Sequence, residues 1–517
     1  MSAAYFLGGS EEMKQEKIIV QQGTEIPFHN QVDYCVGTGR MSLALAEEYQ
    51  KELRLVQKEI GFRYIRGHGL FCDAMAIYQE YEENGVKRAE YNFTYLDRVV
   101  DSYLRVGLRP FLELGFMPQK MARGTQTVFY WKGNVTPPKD YRDWTAMVQA
   151  FLRHLIERYG RDEILQWPIE VWNEPNLNIF WENADMAEYF KLFEETFRAV
   201  KEVDGGLLVG GPAVCGGTDE LWIQKFMEFC REKKLPIDFV TRHHYTIETP
   251  ENQGHCDYSK VMDAESGFAN LQTTRDIIDS FPEYKGLPIH VTEFNTSYTP
   301  RGVIHDTNRN AALIARQLSR LGDVNESYSY WTFGDVFEEA GVPFTPFHGG
   351  FGLVAEGCIP KPTFWTFVFY KKLKEGDGQC VYRDNDMVVM KKADGGWQGV
   401  VWNASEQSAA VEQRRFELVL PGCEGEYCVM TRTVDEEVCN PLKAWHDMGE
   451  PANLKEEQRA LLQEAATPLL RTERTAAQGQ QLTIELAAKK NGVVYFEVSR
   501  APLKPNRGYD YQKVLEF

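Results

Sequence analysis

The sequence predicts an α/β protein: a (β/α)8 TIM barrel with an accessory C-terminal β-sandwich and a small helical insertion. Two textures along the chain carry this. Between residues 30 and 350, short apolar runs alternate with amphipathic stretches, the pattern of βα units around a parallel sheet. After residue 365 the chain turns to short strand-like runs separated by Gly-rich turns, as in a sandwich.

Eight barrel strands are read in order: Asp33–Gly37, Phe62–Gly67, Leu108–Leu114, Pro168–Asn173, Leu207–Pro212, Asp238–Tyr245, Leu287–Phe294 and Tyr328–Phe333. Amphipathic segments such as Trp144–Arg158 and Asp185–Val203 repeat apolar residues at three and four spacings between them. Eight such units over some 300 residues fit a closed barrel better than an open sheet. No GxGxxG or GxxxxGKS follows a strand, so nucleotide-binding folds find no support.

Sandwich strands are expected at Cys380–Arg383, Met387–Lys391, Gly399–Asn403, Phe416–Leu420, Leu482–Leu486 and Val493–Val498, and Lys17–Val20 is expected to join them. The stretch 441–470 reads as helical. The domain limits are therefore set at 21–350 for the barrel, at 1–20, 351–440 and 477–517 for the sandwich, and at 441–476 for the helical insertion. The charged runs Glu47–Glu52 and Glu456–Glu464 read as solvated helix faces.

A net charge of −18 argues against nucleic acid or an anionic membrane as partner, because either favours a basic patch. No run approaches the roughly 18 apolar residues of a membrane span. The segment Met1–Lys17 shows no charged n-region, apolar h-region or cleavage site, and the ten cysteines form no CxxC pair. The expectation is a cytoplasmic protein with free thiols, no cofactor and no metal.

Chemistry in a barrel sits at the C-terminal strand ends. The fourth strand ends in Trp172-Asn173-Glu174-Pro175, and the seventh in Thr292-Glu293-Phe294. One strand-end glutamate is ordinarily a salt-bridge partner. Two on opposite sides of one barrel mouth supply what glycosidic hydrolysis needs: an acid for the leaving oxygen and a carboxylate for the anomeric carbon.

Asn173-Glu174-Pro175 with Glu293 resembles the barrel glycosidases that place catalytic glutamates on strands four and seven. Within them the chain resembles glycoside hydrolase family 39. The segments Gly61–Gly69, Tyr91–Asp97, Arg109–Pro118, Val240–Tyr245 and Tyr330–Glu339 carry the likeness through the whole barrel. The resemblance implies Glu174 as general acid/base and Glu293 as nucleophile. It also implies Asn173 on the sugar 2-hydroxyl, Tyr245 as donor to the nucleophile and His68 and His243 on ring hydroxyls. Trp331 would be a stacking floor, and Phe116, Phe180, Phe337 and Glu338 or Glu339 would complete the pocket.

His244 and Trp172 are expected to be structural, and Trp181 is left between rim contact and packing. Arg66 either tunes the carboxylates or ties strand ends together, and the first is the reading favoured. The activity implied is release of single xylose units from the non-reducing end of short β-1,4-xylo-oligosaccharides by a retaining, double-displacement mechanism. The alternatives are an α-L-iduronidase, α-L-arabinosidase or β-glucosidase on the same scaffold, or an inactive carbohydrate-binding barrel. The resemblance also implies a homo-oligomer, a tetramer.

Overall fold

Strands buried on both faces must be covered by helices, and the computed structural model shows this arrangement for residues 13–406, 411–502 and 508–516. The leader segment Met1–Lys17 and the start of the 1–20 sandwich stretch lie, up to residue 12, outside the described residues.

The barrel strands are β1 (Cys35–Arg40), β2 (Tyr64–His68), β3 (Arg109–Leu114), β4 (Ile169–Val171), β5 (Val209–Val214), β6 (Phe239–Tyr245), β7 (Ile289–Asn295) and β8 (Ser327–Tyr330). They pair in parallel around a closed ring in chain order, β8 returning to β1 through Ser329–Cys35 and Tyr330–Val36. Register shifts occur toward the C-terminal ends of β1, β5, β6 and β7. Such irregularities re-aim side chains beside functional sites. The shift between Arg242 and His243 sets His243 level with Glu293 on the neighbouring strand.

Helices α1 (Glu47–Glu59), α2 (Thr94–Leu104), α3 (Tyr141–Tyr159), α4 (Met186–Val203), α5 (Asp219–Lys233), α6 (Ala264–Asp279), α7 (Asn308–Arg320) and α8 (Pro362–Glu375) surround the ring. In α3, Trp144, Met147, Val148, Phe151, Leu152 and Leu155 form the buried stripe, at the spacing an amphipathic helix requires. The Asp185 carboxylate caps α4 by accepting from the Glu188 N–H.

Three sequence expectations need correction. The barrel does not end at residue 350, because α8 packs Phe364, Phe367 and Phe369 into the barrel core and completes its outer ring. The helical stretch does not reach 470 or 476: it contains α9 (Pro441–Asp447) and α10 (Glu456–Ala465), and Leu469–Ala476 is a strand. Glu52 is not on a solvated face. It is fully buried in the apolar stripe of α1 with Tyr49, Leu53 and Val56, against the loop after β8. A Cβ on Gly334 would stand 2.4 Å from its Oε2, so that loop approaches closely only as glycine. Burial, and then the charge of Asp335, push the Glu52 carboxyl well above the usual range.

The C-terminal strands are β9 (Gln379–Arg383), β10 (Met387–Lys391), β11 (Trp397–Trp402), β12 (Gln413–Pro421), β13 (Glu426–Val434), β14 (Leu469–Ala476), β15 (Gln481–Lys489) and β16 (Val493–Arg500). One sheet runs β9-β10-β11-β16-β13-β14. The other sets β12 between β15 and the N-terminal strand Met13–Ile19, as expected of Lys17–Val20. Strict alternation of buried and exposed residues along β15 turns Leu482, Ile484 and Leu486 onto Phe416, Leu418 and Phe496.

The two parts share a core. Phe369 of α8 stacks on Tyr495 at 5.5 Å, and Arg309 donates to the Ser405 carbonyl at 2.9 Å. Trp445 and Leu462 of the insertion pack on Phe347 and Ile359, which ties the insertion to the loop that follows β8.

Candidate active site

The end of β4 is held in an unusual backbone shape. Trp172 and Glu174 adopt left-handed φ values of 72° and 44°, conformations that non-glycine residues keep only when neighbours impose them. The neighbour is β5. The Glu174 N–H donates to the Ala213 carbonyl at 3.0 Å, and the Asn176 amide both donates to the Cys215 carbonyl at 2.5 Å and accepts from its N–H at 3.3 Å. Side chains at this turn are thereby fixed against strand β5.

Arg66 on β2 is the hub. Its guanidinium, with no exposure to solvent, donates to Glu170 at 2.6 Å, to Glu293 Oε1 at 2.6 Å and to Asn173 Oδ1 at 2.9 Å, and pairs with Glu113 at 3.0 Å. Arginine only donates, so Asn173 turns its oxygen to Arg66 and its NH2 is the end available to a ligand. Tyr245 donates to Glu293 Oε2 at 2.7 Å, holding the carboxylate from its other side.

Glu174 and Glu293 converge on one atom. His243 Nδ1 lies 2.7 Å from Glu174 Oε1 and 3.4 Å from Glu293 Oε2. Those two oxygens are separated by no more than the two distances laid end to end. Both carboxyls can therefore act on one glycosidic bond.

The electrostatics separate the two carboxyls. Burial, and then the charge of Glu293, push Glu174 well above the ordinary carboxylate range. Burial also raises Glu293, but the Arg66 charge opposes the rise, as does the Tyr245 hydrogen bond. The cation touches Glu293 alone of the pair, so the shared proton belongs on Glu174. Burial, reinforced by Arg66, keeps both His243 and His68 neutral: His243 is held well below its usual value, and His68 is down to about 3.

Around this pair, His68 fixes one nitrogen on Glu113 at 2.7 Å and turns the other toward Glu293 and Glu339, at 3.5 and 3.7 Å. His243 Nε2 and Glu339 Oε1 are buried without a hydrogen-bond partner, a state that a ligand's hydroxyl groups would relieve. Trp331 lies 4.6 Å from His68 with Arg66 5.8 Å from its ring. Phe116 stacks on His68 at 5.8 Å and on Phe180 at 6.4 Å.

Two expected residues are engaged by other side chains. Glu338 is paired with Arg40, and Phe337 backs Trp331 edge-on at 6.2 Å together with Phe351. Trp172 and Trp181 are buried packing residues, and His244 is occupied by Gln317 at 3.1 Å.

Sequence reasoning missed the roles of Glu113 and Glu170, Arg66 partners that pair in register on β3 and β4. A glutamate inside an otherwise apolar strand was their signal. It also missed Cys215 and Phe129, the latter stacked 5.7 Å from His68, neither of which stands in a motif. Beyond Phe337 and Glu339 opens a cavity of about 780 Å³, lined in part by Arg301, Phe344, Trp445, His446 and Asn491. The insertion and the sandwich therefore contribute to the surface beside the site.

Comparison with known proteins decides the family: the description Glycosyl hydrolases family 39 matches residues 17–482. The chain belongs to glycosyl hydrolase family 39. Within the family it is 47% identical over 476 residues to a beta-xylosidase of Geobacillus stearothermophilus, covering 92% of this chain and 93% of that one. It is 34% identical over 500 residues to a beta-xylosidase of Caldicellulosiruptor saccharolyticus, covering 94% and 98%. A monomeric beta-xylosidase of Caulobacter crescentus superposes with a TM-score of 0.83 at 32% identity, covering 93% of this chain and 99% of that one.

The Tyr245 contact makes a first prediction for this family 39 site. The hydroxyl lowers the Glu293 pKa, so its loss raises it. Tyr245→Phe is expected to shift the acidic limb of kcat/KM to higher pH and to lower kcat by about 10²-fold, the usual worth of one preorganised donor. A pH profile superimposable on that of the parent refutes this role.

Proposed function

We propose that this chain is an exo-acting, retaining β-xylosidase that removes single xylose units from the non-reducing end of short xylo-oligosaccharides. The observation that carries this reading is the asymmetry of the carboxyl pair. Arg66 and Tyr245 hold Glu293 as the anion, while Glu174, met by a neutral imidazole, keeps the proton.

Glu174 protonates the glycosidic oxygen as Glu293 attacks the anomeric carbon and forms a glycosyl-enzyme ester. Glu174, now a carboxylate, then takes a proton from the water that hydrolyses the ester. The Asn173 NH2 meets the sugar 2-hydroxyl, a contact that strengthens as charge develops. His68, His243 and Glu339 take the remaining hydroxyls, and Trp331 gives the ring a flat apolar floor. The xylosidase specificity is that of the Geobacillus and Caldicellulosiruptor relatives.

The test is a panel of aryl glycosides (β-xyloside, β-glucoside, α-arabinoside and α-iduronide) with product anomers followed by NMR. Preference for the β-xyloside with β-xylose appearing first is expected. α-Xylose appearing first would overturn the retaining mechanism, and preference for another glycoside would overturn the specificity.

A further inference from the structure

The mechanism leaves one buried-edge thiol unused, and it stands beside the acid/base. Cys215 follows β5, and its ligand atom, one carboxylate oxygen of Glu174 and one ring nitrogen of His243 all lie within 4.8 Å of one another. Among the described residues this is the one grouping of His, Cys, Asp and Glu with such spacing. We propose that Glu174, Cys215 and His243 form an inhibitory site for a thiophilic divalent cation of the Zn2+ type, which silences the enzyme by occupying its acid/base.

Four features support the site. The donor set is thiolate, imidazole and carboxylate, the ligands Zn2+ prefers, and three protein ligands with one open position is its common arrangement in accessible sites. The backbone that carries the ligands is held: the two hydrogen bonds between Asn176 and the Cys215 backbone fix Cys215 relative to the Glu174 turn. The surrounding charge favours a cation. Glu113, Glu170 and Glu293 contact the Arg66 guanidinium, and Arg242 beside His243 is paired with Asp219, so both nearby guanidinium charges are already matched by carboxyls. Cys215 is also only partly buried.

Tetrahedral Zn2+ with bonds of roughly 2.0–2.3 Å holds its ligands about 3.5 Å apart, so the widest pair, within 4.8 Å, must close by up to about 1 Å and the Glu174–His243 pair, 2.7 Å apart, must open by a similar amount. Rotation of the Glu174 and Cys215 side chains supplies this without moving the strands. On binding, the thiol S–H and the Glu174 carboxyl each release a proton to solvent and each donates a lone pair to the metal. No electron is transferred. The enzyme then has neither a proton for the leaving group nor a free base for water, and the ion occupies space beside the glycosidic oxygen.

The inhibitory consequence rests on Glu174 being the acid/base, but the binding does not, and the experiment separates them. Intact enzyme freed of metal by chelator is titrated with Co2+ while the near-ultraviolet thiolate-to-cobalt absorption is followed, and with Zn2+ while aryl β-xyloside hydrolysis is followed. Cys215→Ser and Cys215→Ala are measured against their own uninhibited rates, with Cys428→Ser in the sandwich as control and thermal melting to confirm folding. The absorption band should appear in the parent and in Cys428→Ser and vanish in both Cys215 variants. Loss of outer partners alone weakens metal sites 10–100-fold, so loss of the thiolate is expected to raise the Zn2+ inhibition constant by about 100-fold or more. No band in the parent, or Zn2+ inhibition unchanged in the Cys215 variants, overturns the site. A band without inhibition retains the site and overturns the acid/base role of Glu174.

Discussion

Glu293→Ala is expected to lower kcat/KM by on the order of 10⁴- to 10⁶-fold, the scale seen when a covalent nucleophile is deleted. The expectation follows from how the residue is held. Both oxygens are committed, one to Arg66 and one to Tyr245, and this orientation is available to no other carboxyl in the site. The fold should survive, because Arg66 retains Glu113 and Glu170 as counter-ions. The vacated space then admits a small anion on the face of the sugar that the carboxylate used. With azide and an activated aryl β-xyloside, turnover should return and deliver the α-xylosyl azide, of inverted configuration. A β-configured azide would place the nucleophile elsewhere. Loss of less than about 10²-fold would make Glu293 a positioning group.

Much of this site was legible because barrel chemistry is confined to strand ends and because charges within apolar strands are costly. Glu174, Glu293, Asn173 and His243 stand at such ends, and Arg66 stands between Ile65 and Gly67 in a buried strand. What was not legible came from geometry that no local period records. Glu338 and Glu339 are adjacent in an irregular loop, and only the packing of that loop turns one to Arg40 and the other to His68. Glu52 illustrates a conflict between two signals. It lies three residues after Tyr49 and four before Val56, on the buried stripe, yet its charged neighbours made the run look solvated. Leu469–Ala476 is exposed along nearly its whole length, so the buried-exposed alternation that reveals a strand is missing. Phe129 reaches His68 from a loop far along the chain, a contact that sequence spacing does not encode.

Glu174→Ala should separate substrates by their leaving groups. The parent protonates the departing oxygen, and that assistance is worth roughly 10²–10⁴-fold where the leaving group is a sugar. A dinitrophenolate departs without it. On kcat/KM, which reports the first irreversible step, the variant is therefore expected to lose about 10²–10⁴-fold with xylobiose and about 10-fold or less with the dinitrophenyl xyloside. The pH dependence should change with it. Glu174 is active when protonated and its pKa is raised, so the parent loses activity as pH climbs through that raised value, and the variant loses this alkaline limb. Azide should now yield the β-xylosyl azide, because it replaces water on the glycosyl-enzyme and leaves Glu293 in place. Equal losses on both leaving groups, with the alkaline limb intact, would show that Glu174 only positions substrate. The protonated partner of Glu293 would then have to be sought at Glu339, the other carboxyl that burial holds well above the usual range at this mouth.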